Sequence, residues 1–217
     1  MFPLIAFEAV KDGRLRILLL SGAAFLGCSV AAGVGLFRPL DVKILGLAQG
    51  YTSGLMDAVG LVTSLVGGVE FISVAAVALA AGLFVQGRRR LAWRLLMALV
   101  VTGLIEVLFK TVVPQAPVPG DVLRGPDPSL FDISTPYPYP SGHMLRSVLL
   151  LGAIYVLWPN GLVRFAIVAF LLASAAGRLY LGTHWPSDVL GGALLGIAGL
   201  AWAFDKRSAV SNQPVSR

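Results

Sequence analysis

Six stretches of this chain are long and apolar enough to seek a lipid environment. They run approximately over 17–37, 69–85, 91–109, 144–158, 162–181 and 189–204. A helix needs about 20 mainly apolar residues to cross roughly 30 Å of hydrocarbon, and inside lipid every backbone polar group must be satisfied within the chain. The second and fourth stretches are short by that measure and draw on flanking residues. No alternating ten-residue segments of the membrane-barrel kind are visible. The expected fold is therefore all-α: an integral membrane bundle of six transmembrane helices. Residues 1–207 form its single domain, and 208–217 a polar cytoplasmic tail.

Composition agrees. Of 217 residues, 57% are hydrophobic and only 13% charged, about half the charge of an ordinary soluble domain, where roughly 25% is usual. This excludes a disordered chain and a nucleic-acid binder, despite the net charge of +6. The single cysteine, Cys28, has no partner for an internal bridge. The residues around it are poor for a lipoprotein cleavage site, so the first run reads as an uncleaved helix with Cys28 as a small packing residue.

Basic residues set the orientation. With the N-terminus in the cytoplasm, Lys11, Arg14, Arg16, Arg88, Arg89, Arg90, Arg94, Arg164, Lys206, Arg207 and Arg217 fall inside. Arg38, Lys43, Lys110, Arg124, Arg146 and Arg178 fall outside. Eleven against six is the bias that cytoplasmic loops carry. Two stretches are more than linkers. Residues 38–68 are expected to form one or two helices at the outer interface. Residues 111–140 hold eight of the thirteen prolines, which prevents a long regular helix. They read as an extended external loop, with Tyr137 and Tyr139 suited to the headgroup zone.

The chain has two histidines, His143 and His184, and both fall at the outer mouth of an expected span. His143 closes Tyr139-Pro140-Ser141-Gly142-His143. His184 lies six residues after Arg178 and four before Asp188. Lys110 ends the third span on the same side. Singly, each has a plainer role: a wetted interfacial histidine, a snorkelling cation, an aspartate favouring a helix start. Together they put imidazoles, a carboxylate and cations at one depth, where ionisable groups are costly unless they pair or work. That set suits phosphoryl transfer. An imidazole serves as nucleophile and proton shuttle, and a carboxylate on its second nitrogen fixes the tautomer. Cations and helix N-terminal amides hold phosphate oxygens.

These residues resemble the type-2 phosphatidic acid phosphatases, membrane lipid phosphatases related to vanadium haloperoxidases. That family's second signature, Pro-Ser-Gly-His, is present unchanged at Pro140-Ser141-Gly142-His143. Its third, Ser-Arg, five residues, His, three residues, Asp, is met by Arg178, His184 and Asp188, with Gly177 in place of the serine. Its first, Lys, six residues, Arg-Pro, is met by Lys110 but holds Pro117 and Val118 where Arg-Pro belongs. The resemblance implies a metal-independent phosphoric monoester or diphosphate hydrolase without a cofactor. Its substrate would be a phospholipid or polyprenyl phosphate, such as polyprenyl diphosphate, phosphatidic acid or phosphatidylglycerophosphate. His184 would be the nucleophile and form a phosphohistidine, His143 would protonate the leaving oxygen, and Asp188 would orient His184. Lys110, Arg178, Ser141 and the Gly142 amide would hold the phosphate. Arg146, three residues after His143 and so on nearly the same helix face, is expected to replace the absent first-signature arginine. Glu106, four residues before Lys110, is placed to pair with it.

The expected setting is the plasma (inner) membrane, with both termini cytoplasmic and the site on the external side. A lipid phosphotransferase on the same scaffold is the alternative activity. A proton-relay transporter is the alternative class, and a catalytically dead lipid-binding relative a fourth reading. No internal repeat is visible to favour transport. Oligomeric state is not legible.

Overall fold

The computed structural model describes residues 13–124 and 135–205. The expected tail at 208–217 lies outside the described residues. So do Lys11, Lys206, Arg207 and Arg217 of the charge bias, and residues 125–134 of the proline-rich segment. Among the described residues the regular structure is helical throughout. The helices are α1 (Gly13–Gly33), α2 (Arg38–Gln49), α3 (Gly54–Val66), α4 (Val69–Val85), α5 (Arg89–Val112), α6 (Gly142–Leu157), α7 (Gly161–Tyr180) and α8 (Pro186–Ala203), with one 3₁₀ turn at Gly120–Val122.

By length and composition α1, α5, α7 and α8 can each cross a membrane, and α3 with α4, bent by 52°, makes a fifth candidate. Helix α6 is apolar but has 16 residues, about 24 Å at the usual rise per residue. It falls short of a full crossing on its own. Large apolar side chains such as Leu20, Val30, Val74, Leu104, Phe165 and Leu172 are exposed around the outside, a pattern suited to hydrocarbon as solvent.

Helix α8 is the hub. Of its apolar stretch 61% is buried, against 22% for each of α1, α5 and α7. It packs on α1, α5 and α6. The reason is compositional: Gly191, Gly192, Gly196 and Gly199 abut the Tyr139 ring, the Ser141 and Leu145 carbonyls and the Thr102 side chain. Small residues let helix backbones approach closely, which is how helices gain contact when lipid gives no hydrophobic drive. One apolar cluster, with Ala80, Leu83, Leu95, Leu149 and Ala153, joins α4, α5 and α6. A second, with Phe25, Val113, Leu145 and Leu195, joins α1, α6 and α8.

Tyr139 corrects an expectation. Its side chain meets protein on every side rather than lipid headgroups, fully buried in that second cluster, 0% exposed. Its ring stacks on Phe25 at 6.1 Å, and its hydroxyl accepts from Ser29 Oγ at 3.1 Å. A tyrosine whose hydroxyl finds a partner can be buried whole, and the missing side chain at Gly191 makes the room. Burial also raises the phenol's pKa well above its ordinary value.

The two ends of the bundle differ. At one, Arg14 donates to the Phe204 carbonyl and Arg94 to those of Trp202 and Asp205, so α1 and α5 begin where α8 ends. At the other, the Ser141 N–H donates to the Asp188 carbonyl at 2.9 Å, and the Tyr137 N–H to the Lys110 carbonyl at 3.2 Å. The start of α6, the start of α8 and the end of α5 therefore meet there. The stretch 38–68 forms α2 and α3. Helix α3 packs along α7, and α2 against α7 and α8. Both bring buried polar side chains to that second end: Asp41, Thr63 and Ser64 are each no more than 3% exposed.

Candidate active site

Local sequence builds the His184 arm. Helix α7 ends at Tyr180 with Leu181 as its cap, and Gly182 turns the chain with φ 71°, a left-handed conformation that glycine adopts without penalty. Trp185 is extended and caps α8, and Pro186 occupies its first turn, where a missing N–H costs nothing. Asp188, one turn in, folds back. Its Oδ2 accepts from the Trp185 N–H at 2.9 Å and lies 3.2 Å from His184 Nδ1. A carboxylate oxygen only accepts, so Nδ1 carries the hydrogen and the lone pair of a neutral ring is at Nε2. The Trp185 ring is 2% exposed, its Nε1 donates to the Ala116 carbonyl at 2.8 Å, and Arg38 stacks on it at 4.2 Å.

The His143 arm comes from α6. Ser141 caps this helix with extended backbone and is wholly buried, with no partner for its hydroxyl among the described residues. His143 is 7% exposed, and its Nε2 lies 3.2 Å from the Ser64 carbonyl. That carbonyl only accepts, so here the hydrogen is on Nε2. Ser64 joins His143 to Arg178, its carbonyl facing the imidazole and its hydroxyl accepting from the guanidinium, and the Ser141 N–H on the Asp188 carbonyl at 2.9 Å joins the two arms. The structure thus brings together all eight residues singled out from the sequence: His143, His184, Asp188, Lys110, Arg178, Ser141, Gly142 and Arg146.

Arg178 is completely buried and donates from Nη2 to Ser64 Oγ. A guanidinium in such a place demands compensation. Around the α6 mouth, Glu106 Oε1 lies 3.1 Å from Lys110 Nζ, and Glu106 Oε2 accepts from Arg146 Nη1 at 2.7 Å. Glu106 therefore holds both cations, where the sequence suggested only Lys110. The three cations and the free N–H groups of a helix start are a setting for an anion with several oxygens.

Helix α3 supplies what motif reading missed. Thr63 explains the departure at Gly177: a Cβ on residue 177 would lie 2.6 Å from Thr63 Oγ1 and 3.4 Å from the Gly60 Cα. A serine there has no space, and the hydroxyl beside Arg178 comes from Ser64 instead. Behind the His184 arm, Asp41 accepts from Ser187, and Gln115 Nε2 donates to Ser187 Oγ at 2.8 Å. No local pattern marks Asp41, Thr63, Ser64 or Gln115. Each is an ordinary residue until α2, α3 and the loop after α5 are folded onto α7 and α8. Among the described residues no three His, Cys, Asp or Glu side chains converge on one point.

Comparison with known proteins gives three likenesses. Residues 91–210 match the family model of the PAP2 superfamily. An undecaprenyl-diphosphatase from Sulfolobus acidocaldarius is 39% identical over 67 residues, covering 29% of this chain and 30% of that protein. The crystal structure of a transmembrane PAP2 type phosphatidylglycerolphosphate phosphatase from Bacillus subtilis shares the fold. Its TM-score is 0.74 at 19% identity, over 90% of this chain and 98% of that one.

Proposed function

We propose that this chain, which belongs to the PAP2 superfamily, hydrolyses the phosphomonoester or diphosphate of a lipid headgroup through a phosphohistidine at His184. The observation that carries this reading is the joint placement of His184, tied to Asp188 at 3.2 Å, with His143 and the buried Arg178 at one end of the bundle.

In the first step His184 Nε2 attacks phosphorus. The P–N bond forms as the bond to the lipid oxygen breaks, and His143, its Nε2–H kept on the Ser64 carbonyl, delivers to that oxygen a proton carried on Nδ1. Asp188 stabilises the imidazolium that develops on His184. Lys110, Arg146, Arg178 and the amides at the start of α6 hold the phosphoryl oxygens, where charge spreads in the transition state. In the second step water attacks phosphorus, His143 takes its proton, and the P–N bond breaks to release phosphate.

The setting is a plasma membrane crossed six times, with α6 completed by its flanking residues, both termini cytoplasmic and the site external. The positive-inside bias of the whole sequence, eleven against six, supports that orientation. A headgroup confined to the membrane surface reaches a site at the rim by diffusion in two dimensions. The names of the relatives point to two substrates to try first, a polyprenyl diphosphate and phosphatidylglycerophosphate.

The test is phosphate release from a panel of lipid phosphates by purified protein in detergent, with EDTA present. Wild type releases phosphate; His184→Ala and His143→Ala do not. Retained turnover in His184→Ala would exclude the covalent route. Transfer of phosphate to an added lipid or sugar in place of water would make the chain a phosphotransferase.

A further inference from the structure

Two cations that the proposed mechanism gives to the substrate are already engaged by an anion of the chain itself. Glu106 is 5% exposed and sits one turn before Lys110 on α5. Its two oxygens divide between Lys110 Nζ at 3.1 Å and Arg146 Nη1 at 2.7 Å. Its carboxylate also lies against the Cα of Gly142, where any side chain would collide with it. A carboxylate thus occupies the angle between two cations and the first turn of α6. Burying a charge there is costly, and one partner would suffice to tether Lys110.

The geometry points to Glu106 as the residue that sets how much negative charge the site accepts, favouring a phosphomonoester over a diphosphate. This rests on the reading of the site as a lipid phosphatase. Lys110, Arg146 and Arg178 bring three positive charges, and Glu106 cancels one of them. Two remain, which matches a phosphomonoester of charge about −1.5 to −2 at pH 7. A second phosphoryl group adds negative charge and, drawn toward Lys110 and Arg146, meets the Glu106 carboxylate. Discrimination by a like charge is a common source of specificity. A purely scaffolding Glu106 predicts something else. Gln would then loosen both cations and weaken every anion alike.

The experiment measures binding of inorganic phosphate and pyrophosphate to the full-length protein in detergent, read as ligand-dependent shifts of the unfolding midpoint. The variants are wild type, Glu106→Gln, Glu106→Asp and the double variant Glu106→Gln/Lys110→Met. Glu106→Gln raises the preference for pyrophosphate over phosphate by about tenfold, a modest effect for a close charge pair. Glu106→Asp stays near wild type. The double variant returns toward wild type, because the positive charge in the site is again two. If Glu106→Gln fails to fold, Lys110→Met against the double variant carries the comparison, and the second substitution again raises the pyrophosphate preference. An unchanged ratio, or equal weakening of both anions, overturns the proposal. Binding needs no turnover, so a wild type that binds both anions but hydrolyses no lipid phosphate would defeat the phosphatase reading and leave this ratio legible.

Discussion

Ser187 donates twice to Asp41, from Oγ to Oδ2 at 2.7 Å and from its backbone N–H to Oδ1 at 2.9 Å. The bond joins α2 to the first turn of α8, immediately beside Asp188. Asp41 is 3% exposed, so its carboxylate is spent on holding that turn. It acts as a positioning residue for the His184 arm. Asp41→Ala strands a buried N–H and hydroxyl, at a cost of about 1–3 kcal/mol. The expected result is a lower unfolding midpoint and a reduced kcat with little change in KM.

The same residue gives a pH dependence. Burial raises the Asp41 pKa above its ordinary value, against the hydrogen bonds from Ser187 that lower it. A carboxyl raised in the folded state binds more protons folded than unfolded, so its contribution to stability is full below the unfolded pKa. It is lost as pH rises through the folded one. Asp41→Asn cannot ionise. Unfolding midpoints measured from about pH 3.5, just below the usual aspartate pKa, to pH 7 should fall less steeply in Asp41→Asn than in wild type. An equal slope in both would exclude this role.

Asp188→Asn keeps the shape of the capping turn and takes away the charge facing His184 Nδ1. The amide also permits the wrong imidazole tautomer. A loss of about 10³-fold or more in kcat is expected from precedent with such triads, with the fold retained by circular dichroism. Acid-labile phosphate trapped on wild type should be undetectable on His184→Ala. Persistent label there would move the nucleophile elsewhere.

Gly177→Ser would restore the family's third signature and damage the protein. The added side chain has Thr63 Oγ1 in its way, and overpacking of this kind costs about 1–3 kcal/mol. Thr63→Ala in the same chain removes the obstructing hydroxyl and should recover most of the lost stability. If Gly177→Ser alone is as stable as wild type, α3 does not lie as close to α7 as described.

Arg146→Ala tests whether this residue stands in for the arginine replaced by Pro117. The expected outcome is a rise in KM of about tenfold, the scale of one charge-assisted hydrogen bond to phosphate, with partial recovery in Arg146→Lys. Activity and affinity equal to wild type would confine Arg146 to its pair with Glu106.

What the sequence by itself determined is what short-range geometry controls. Hydropathy set an all-helical membrane chain. The short spacing of His184 and Asp188 let the carboxylate at the start of α8 reach back to the imidazole just before it, and Pro-Ser-Gly-His put a histidine at the start of a helix. The departures at Pro117 and Gly177 were equally visible, but not their reason. That reason is tertiary. Helix α3, outside the region matched by the family model, presses Thr63 and Ser64 against α7, and only then is there no room for a serine at 177 and a hydroxyl for Arg178. Tyr139, polar and beside a proline, reads as interfacial until the glycines of α8 open a slot for it. Asp41 and Ser187 are 146 positions apart, and Glu106 and Arg146 are 40 apart. Such pairings depend on which helix faces meet, and mainly apolar faces of Leu, Val and Ala do not encode that locally.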